Sequence, residues 1–71
     1  MAMTRVDCTL SHWDLLQRRI WCTKSVGPES YNLDQFVLEK YYWFVHSDSY
    51  YEHTFYFKNA DDALAFILVW S

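Results

Sequence analysis

Hydrophobic and polar positions alternate near the N-terminus of the chain. Between residues 4 and 10 every second side chain is apolar. Successive side chains of a strand point to opposite faces, so this period of two predicts a strand with one buried face. The face expected to be buried carries Val6, Cys8 and Leu10, and the opposite face carries Arg5, Asp7 and Thr9.

A helical spacing begins directly after this strand. Ser11 and Asp14 are three residues apart, as in an N-terminal capping box. Gly27 can adopt the left-handed backbone conformation that ends a helix, and Pro28 cannot continue it. The pattern therefore predicts a first helix that ends near Val26. The apolar residues at helical intervals within it are Trp13, Leu16 and Ile20.

The middle of the chain reads as a β-hairpin. Residues 41–45 form an aromatic and β-branched run with strong strand preference, residues 47–49 supply turn chemistry, and residues 51–58 alternate again. Residues 32–40 fit both a helical turn and a strand. Because a helix would have to end abruptly before the aromatic run, we favour a strand that begins near Phe36.

A second helix is expected after Asn59, which is a suitable N-cap residue. Two acidic residues in its first turn suit the positive end of the helix dipole, so their role is structural before it is catalytic. The apolar run over residues 66–70 is short enough for a final strand, although the helix could instead continue to the end. The acidic residues are Asp61 and Asp62, and the expected core positions are Ala60, Ala63 and Leu64.

The predicted order of elements is βαββαβ, which places the chain in the α+β class. This order is typical of the ferredoxin-like split fold, in which two helices cover one face of a four-stranded antiparallel sheet. Neither an internal repeat nor a domain boundary is visible, so residues 1–71 are expected to form a single domain. A less regular α+β fold with a three-stranded meander is the alternative.

The turn of the hairpin decides which side chains share a face. A tight turn centred on Asp48 and Ser49 places the side chains in two sets, and a turn one residue longer would exchange the assignments on one strand. The more apolar set, expected in the core, is Tyr42, Phe44, His46, Tyr51, His53, Phe55 and Phe57. The second set mixes charges with rings and comprises Tyr41, Trp43, Val45, Glu52, Thr54, Tyr56 and Lys58. We expect the protein interface at Tyr41, Trp43, Val45 and Tyr56.

Composition favours binding over chemistry. Nine of the fifteen aromatic residues lie between residues 41 and 57, which is too many for one small core to bury. The net charge of −3 opposes attraction to nucleic acid and to anionic membranes, and the basic and glycine-containing motif of RNA-recognition modules is missing. No apolar run approaches the roughly 20 residues that span a bilayer, and no secretory signal is visible. These features predict a cytoplasmic chain.

Candidate catalytic and metal-binding residues do not have the spacing that such sites need. No Cys-x-x-Cys or His-x-x-x-His pair occurs, and no nucleophile is accompanied by a base. Two cysteines are too few for a disulfide framework. We therefore expect no enzymatic activity, no metal and no cofactor. The residues considered for zinc are His12, His46, His53, Cys8 and Cys22.

The last third of the chain combines an aromatic segment, an acidic helix start and a terminal Leu-x-Trp. The residues concerned are Phe55-x-Phe57, Asp61-Asp62-Ala63 and Phe66-x-Leu68-x-Trp70. This pattern resembles short orphan proteins encoded by tailed bacteriophages. The resemblance implies an accessory product or a small virion component, and it transfers no functional residue.

The function expected from these features is that of a non-enzymatic protein-interaction module. In a phage setting it would bind or inhibit a host protein in the host cytoplasm, or form a homo-oligomer, through an aromatic sheet face and edge. The alternatives are a structural virion component that uses the same surface and an oligomer that sequesters a small ligand.

Overall fold

The computed structural model of this protein describes residues 3–30 and 41–70, and these residues form two helices and three strands. The α+β class is thereby confirmed. The prediction for residues 32–40, including the strand start at Phe36, lies outside the described residues. In chain order the elements are β1 (Thr4–Thr9), α1 (His12–Ser25), β2 (Trp43–Ser47), β3 (Glu52–Phe57) and α2 (Ala60–Trp70).

The three strands form one antiparallel sheet in the order β1-β3-β2. Strands β1 and β2 therefore run in the same direction, with β3 inserted between them. The alternative of a three-stranded meander differs from this order, because the central strand of a meander would be β2. The ferredoxin-like arrangement is not confirmed, since residues 66–70, expected as its last strand, belong to α2.

Helix α2 continues through the apolar run for a physical reason. Ala63 and Phe66 are buried and Trp70 is half-buried, and these positions recur at the spacing of one helix face. No glycine or proline interrupts residues 60–70. The backbone N–H groups of Asp62 and Ala63 donate to the carbonyl oxygen of Asn59, so the helix starts where the sequence predicts.

Helix α1 has the predicted ends but a different buried face. The backbone N–H of Asp14 donates to Ser11 Oγ at 3.2 Å, and Gly27 after the last turn has a φ of 144°. The face that packs on the sheet carries Leu15 and Cys22, whereas the predicted apolar face is exposed, with Trp13 at 66 %. The other exposed members are Leu16 and Ile20.

Two arginines allow this choice of face because each half-buried guanidinium has a partner. The guanidinium carbon of Arg18 lies 4.4 Å from the centroid of the Trp70 ring. Arg19 donates two hydrogen bonds to Glu29 Oε1, at 2.9 and 3.1 Å. The sheet-facing side of α1 is therefore partly polar without leaving these charges unpaired.

The register of the hairpin differs from the predicted one. Val45 pairs with Phe55 and Trp43 pairs with Phe57, and the backbone N–H of Asp48 donates to the Glu52 carbonyl oxygen at 2.9 Å. The turn is longer than predicted by an odd number of residues, so every side chain of β2 changes face while those of β3 stay as predicted.

Both helices pack on the sheet face that carries Phe55, and the core is largely aromatic. Phe66 contacts Phe55 and Phe57, with ring centroids 4.6 and 5.4 Å apart. Trp43 is fully buried and stacks on Phe55, and its indole Nε1 donates to the carbonyl oxygen of Gly27 at 2.7 Å. This hydrogen bond ties β2 to the segment that follows α1.

Candidate protein interface

The sheet has one face on which neither helix packs. We call this face the outer face, and its strand residues are charged, polar or aromatic. They alternate with core residues along every strand, as the pleat requires. The outer face comprises Arg5, Asp7 and Thr9 of β1, Phe44 and His46 of β2, Glu52, Thr54 and Tyr56 of β3, and the flanking pair Tyr42 and Lys58.

Two aromatic rings of the outer face, Phe44 of β2 and Tyr56 of β3, pair across the strands, and we call this pair the ladder. Phe44 and Tyr56 are directly opposite one another and stack with centroids 4.6 Å apart and planes 9° from parallel. Lys58 Nζ lies 5.6 Å from the centroid of the Tyr42 ring, and the Arg5 guanidinium carbon lies 6.0 Å from that of Tyr56. The stack is half-buried, so the rings are held in one orientation while part of their area remains exposed.

A small polar network lies beside this ladder. The Thr54 hydroxyl donates to Asp7 Oδ1 at 2.9 Å, and the Arg5 guanidinium donates to the same oxygen at 3.2 Å. The hydrogen bond from Thr54, followed by that from Arg5, lowers the pKa of Asp7 from its ordinary value. Asp7 is therefore a fixed anion at neutral pH.

A shallow cavity of about 300 Å³ lies at the hairpin end of the network. Its carboxylates outnumber its single guanidinium, so the cavity favours a cationic group. Tyr50 and Tyr51 at the hairpin tip are exposed and contact each other edge to face, with centroids 4.8 Å apart. The charged residues of the cavity are Arg5, Asp7, Asp48 and Glu52.

The structure divides the predicted interface residues between the two faces. Tyr56 lies on the outer face, and Tyr41 is half-buried just before β2. The expectation that Trp43 and Val45 lie on the exposed face is wrong, because the longer turn directs both towards the helices. Trp43 has no exposed surface. The interface role proposed for these positions stays a prediction only for Tyr56 and Tyr41.

Two aromatic residues of the outer face, Tyr42 and Phe44, were assigned to the core by the sequence pattern. The residues of β2 are aromatic on both faces, so their polarity gives no signal about which face is buried. The sequence pointed to this outcome only through the alternative of a longer turn, because lengthening the turn by one residue exchanges the two faces of one strand.

The histidines and cysteines considered for chemistry are dispersed. His12 is exposed at the start of α1, and His46 Nε2 lies 3.0 Å from Asp48 Oδ1 on the outer face. His53 is buried on the core face, with Nδ1 2.7 Å from Ser47 Oγ. Cys8 is half-buried, and burial raises the pKa of the Cys22 thiol to about 12.

Within residues 3–30 and 41–70, no group of three or more histidine, cysteine or acidic side chains is placed to hold a metal ion. In the same part of the chain, no helix combines the length and the apolar character needed to cross a bilayer. No family model matches the chain, and no curated protein or solved structure is significantly similar to it.

Proposed function

We propose that this protein is a non-enzymatic interaction module that binds a partner protein through the outer face of its sheet. The observation that carries the proposal is the stacked, half-buried pair of Phe44 and Tyr56 on the sheet face opposite to that on which α1 and α2 pack. The proposed setting is that of a phage accessory protein acting on a host protein in the host cytoplasm, and it rests on the resemblance of the C-terminal third.

The ladder suits binding because its rings are ordered before the partner arrives. Stacking and the flanking cations Arg5 and Lys58 restrict the rings, so little side-chain entropy is lost on association. Aromatic residues at the centre of an interface commonly contribute about 2 kcal/mol or more of binding free energy. A stacked pair whose orientation is already fixed is therefore suited to anchor a partner at the outer face.

The charges beside the ladder indicate the chemistry of the partner. Asp48 and Glu52 are exposed at the cavity, and Asp7 adds a third carboxylate. A partner that presents a lysine or arginine next to an apolar side chain would place the cation among these carboxylates and the apolar group on the rings. We therefore propose a partner with a basic and apolar patch.

The test compares single alanine variants of the ladder with a matched variant elsewhere. Phe44→Ala and Tyr56→Ala remove rings of the outer face, and Trp13→Ala removes an exposed ring of α1. Tagged proteins are used to capture partners from bacterial lysate, and the Kd of the captured partner is then measured. We expect the wild-type protein and Trp13→Ala to capture the same partner, and each ladder variant to bind it at least thirtyfold more weakly.

Charge reversal gives an independent control. Glu52→Lys should weaken binding, and the loss should diminish as salt screens the charges. Lys24→Glu on α1 should have no effect on binding. Capture of the same partner with equal affinity by all of these variants would exclude the outer face, and recovery of a virion protein would favour the alternative of a virion component.

A further inference from the structure

The outer edge of β1 is open within the described part of the chain. Strand β3 pairs with one edge of β1, and no strand in residues 3–30 or 41–70 pairs with the other. The residues that flank the undescribed segment, Ser30 and Tyr41, lie near β2 at the opposite edge of the sheet; the backbone N–H of Ser30 donates to the Trp43 carbonyl oxygen.

The backbone hydrogen bonds between β1 and β3 show which residues of β1 direct their N–H and C=O groups to the open edge. The backbone N–H of Leu10 donates to the Tyr51 carbonyl oxygen at 2.8 Å, which continues the antiparallel backbone pairing between β1 and β3. Hydrogen-bonded pairs alternate along an antiparallel ladder, so the even-numbered residues of β1 are bonded to β3. The N–H and C=O groups of Arg5, Asp7 and Thr9 therefore point away from β3, towards the open edge.

Apolar surface lies along the same edge on the helix side of the sheet. A cavity of about 240 Å³ is lined mainly by apolar side chains, together with Thr9 and Arg18; the apolar ones are Val6, Cys8, Leu10, Phe66, Ile67 and Trp70. Ile67 shares a stripe of α2 with Leu64 and Leu68, at the spacing i, i+3, i+4. These three side chains are 54, 44 and 67 % exposed in chain order. The edge thus combines outward-pointing backbone groups with exposed apolar surface.

We propose that a second copy of this chain occupies this edge, with β1 pairing antiparallel to β1 of the second copy and Val6 opposite Val6. In β1 only the odd-numbered residues direct backbone groups outward. The two β1 strands can therefore form hydrogen bonds only in registers that differ from one another by a shift of two residues. In the proposed register, Arg5 of each copy faces Asp7 of the other. The neighbouring registers place Asp7 opposite Asp7 or Arg5 opposite Arg5, and like charges directly opposite are destabilising.

The proposed register forms a square of four charges with alternating sign on the outer face. Each Asp7 lies between the Arg5 of its own chain, at 3.2 Å, and the Arg5 of the second copy. The charge pattern of β1 is thus self-complementary in one register and repulsive in the two adjacent ones. Charge complementarity of this kind selects the partner and the register.

The two-fold axis passes between the two Val6 residues and is perpendicular to the sheet. The joined sheet has six strands in the order β2-β3-β1-β1-β3-β2, and both copies of α2 lie on the same face. Ile67, which lines the cavity beside β1, then lies on the same side of the joined sheet in both copies, next to the new strand pair. One association therefore pairs the open edge and covers apolar surface beside it.

Charge-swap variants test the register. Arg5→Asp makes all four charges of the square negative, and Asp7→Arg makes them all positive. For each variant alone we expect the dimer Kd, measured by sedimentation equilibrium, to rise about thirtyfold. In an equimolar mixture, residues 5 and 7 of one chain again face opposite charges on the other chain, so we expect a heterodimer with a Kd no higher than that of the wild-type dimer, identified by native mass spectrometry.

Cross-linking through V6C tests the same register while leaving the four charges unchanged. In a Cys8→Ser background, V6C chains should form an intermolecular disulfide on mild oxidation, because opposed residues on paired strands are close enough for one. D7C chains should remain monomeric under the same conditions, since they meet only in a shifted register. Arg5→Pro removes an outward N–H as well as the guanidinium, so it should weaken the dimer more than Arg5→Ala does, while the circular dichroism spectrum is retained.

Three results would overturn the proposal. They are a wild-type chain that stays monomeric from micromolar to millimolar concentration, a dimer that neither charge variant weakens, and cross-linking of D7C in preference to V6C. Phe44 lies on β2, at the opposite edge of the sheet from the proposed dimer contact, so Phe44→Ala should leave the dimer intact. Failure of the proposed partner binding and failure of this dimer are therefore distinguishable.

Discussion

Replacing Trp43 by phenylalanine tests the corrected assignment of the hairpin faces. The Trp43 side chain has no exposed surface, stacks on Phe55 and donates a hydrogen bond to the carbonyl oxygen of Gly27 at 2.7 Å. Phenylalanine keeps an aromatic ring in the core but removes the donor and part of the buried volume. The loss of stability on this substitution therefore shows whether Trp43 is a core residue or an interface residue, and no charge is introduced into the core.

The expected cost follows from the two contacts that are lost. Loss of the hydrogen bond costs about 1 kcal/mol, and the smaller ring leaves a cavity that adds about 1 to 2 kcal/mol. The sum, about 2 to 3 kcal/mol, is a large fraction of the roughly 4 to 11 kcal/mol expected for a domain of this length. For so small a domain we expect the Tm to fall by about 10 to 20 °C.

Thermal and urea denaturation followed by circular dichroism measures this cost. Trp13→Phe is the matched control, because Trp13 is 66 % exposed on α1 and its replacement should change stability by less than about 0.5 kcal/mol. The reasoning is refuted if Trp43→Phe is as stable as the wild-type protein, or if Trp13→Phe is the more destabilised of the two.

Three further changes have defined outcomes. Burial raises the pKa of Cys22 to about 12, so at pH 8 iodoacetamide should label Cys22 only through unfolding and more slowly than Cys8. Because the thiol ionises more readily in the unfolded chain, stability should also fall as the pH rises above the ordinary thiol pKa. Equal labelling rates of the two cysteines in the native protein would contradict this. Gly27→Ala should cost about 1 to 3 kcal/mol because φ is 144° while nothing lies within 4 Å of the added carbon, and an unchanged Tm would contradict backbone strain. Thr54→Val should raise the pKa of Asp7 in an NMR titration, because Asp7 loses the hydrogen bond that lowers its pKa most. In the wild-type protein, the lowered pKa of Asp7 stabilises the fold at pH values above the pKa of the unfolded chain, and this stabilisation is lost as the pH falls through the pKa of the folded state. Equal pKa values of Asp7 in the wild-type and Thr54→Val proteins would exclude this role of Thr54.

Local signals in the sequence predicted the ends of the elements well. Ser11 caps α1, Gly27 follows its last turn, and α2 starts directly after Asn59. Each of these signals depends on a residue and its immediate neighbours. The predicted fourth strand failed because residues 66–70 are apolar at both strand and helix spacing, and only packing of Phe66 against β3 favours the helix.

The candidate interface was predictable for β3 but not for β2. Alternation in β3 is strong, since Phe55 and Phe57 are separated by Tyr56 and preceded by Thr54, and its core face was predicted correctly. In β2 both faces carry large apolar rings, so the pattern has no polarity. Its orientation depends on the number of residues in the turn, which Asp48 and the following serine do not specify.

The central position of β3 governs how this sheet can form. Strands β1 and β2 are not paired with each other, and among residues 3–30 and 41–70 each pairs only with β3. The pairs between β1 and β3 join residues about fifty positions apart, and closing such a loop costs about 3 to 4 kcal/mol in chain entropy before the contacts compensate. The hairpin of β2 and β3 is local and closes cheaply, so we expect it to form before β1 joins. During synthesis, β1 therefore pairs with β3 only after the last third of the chain has been made, and a fragment that stops before Glu52 lacks the strand that pairs with both β1 and β2.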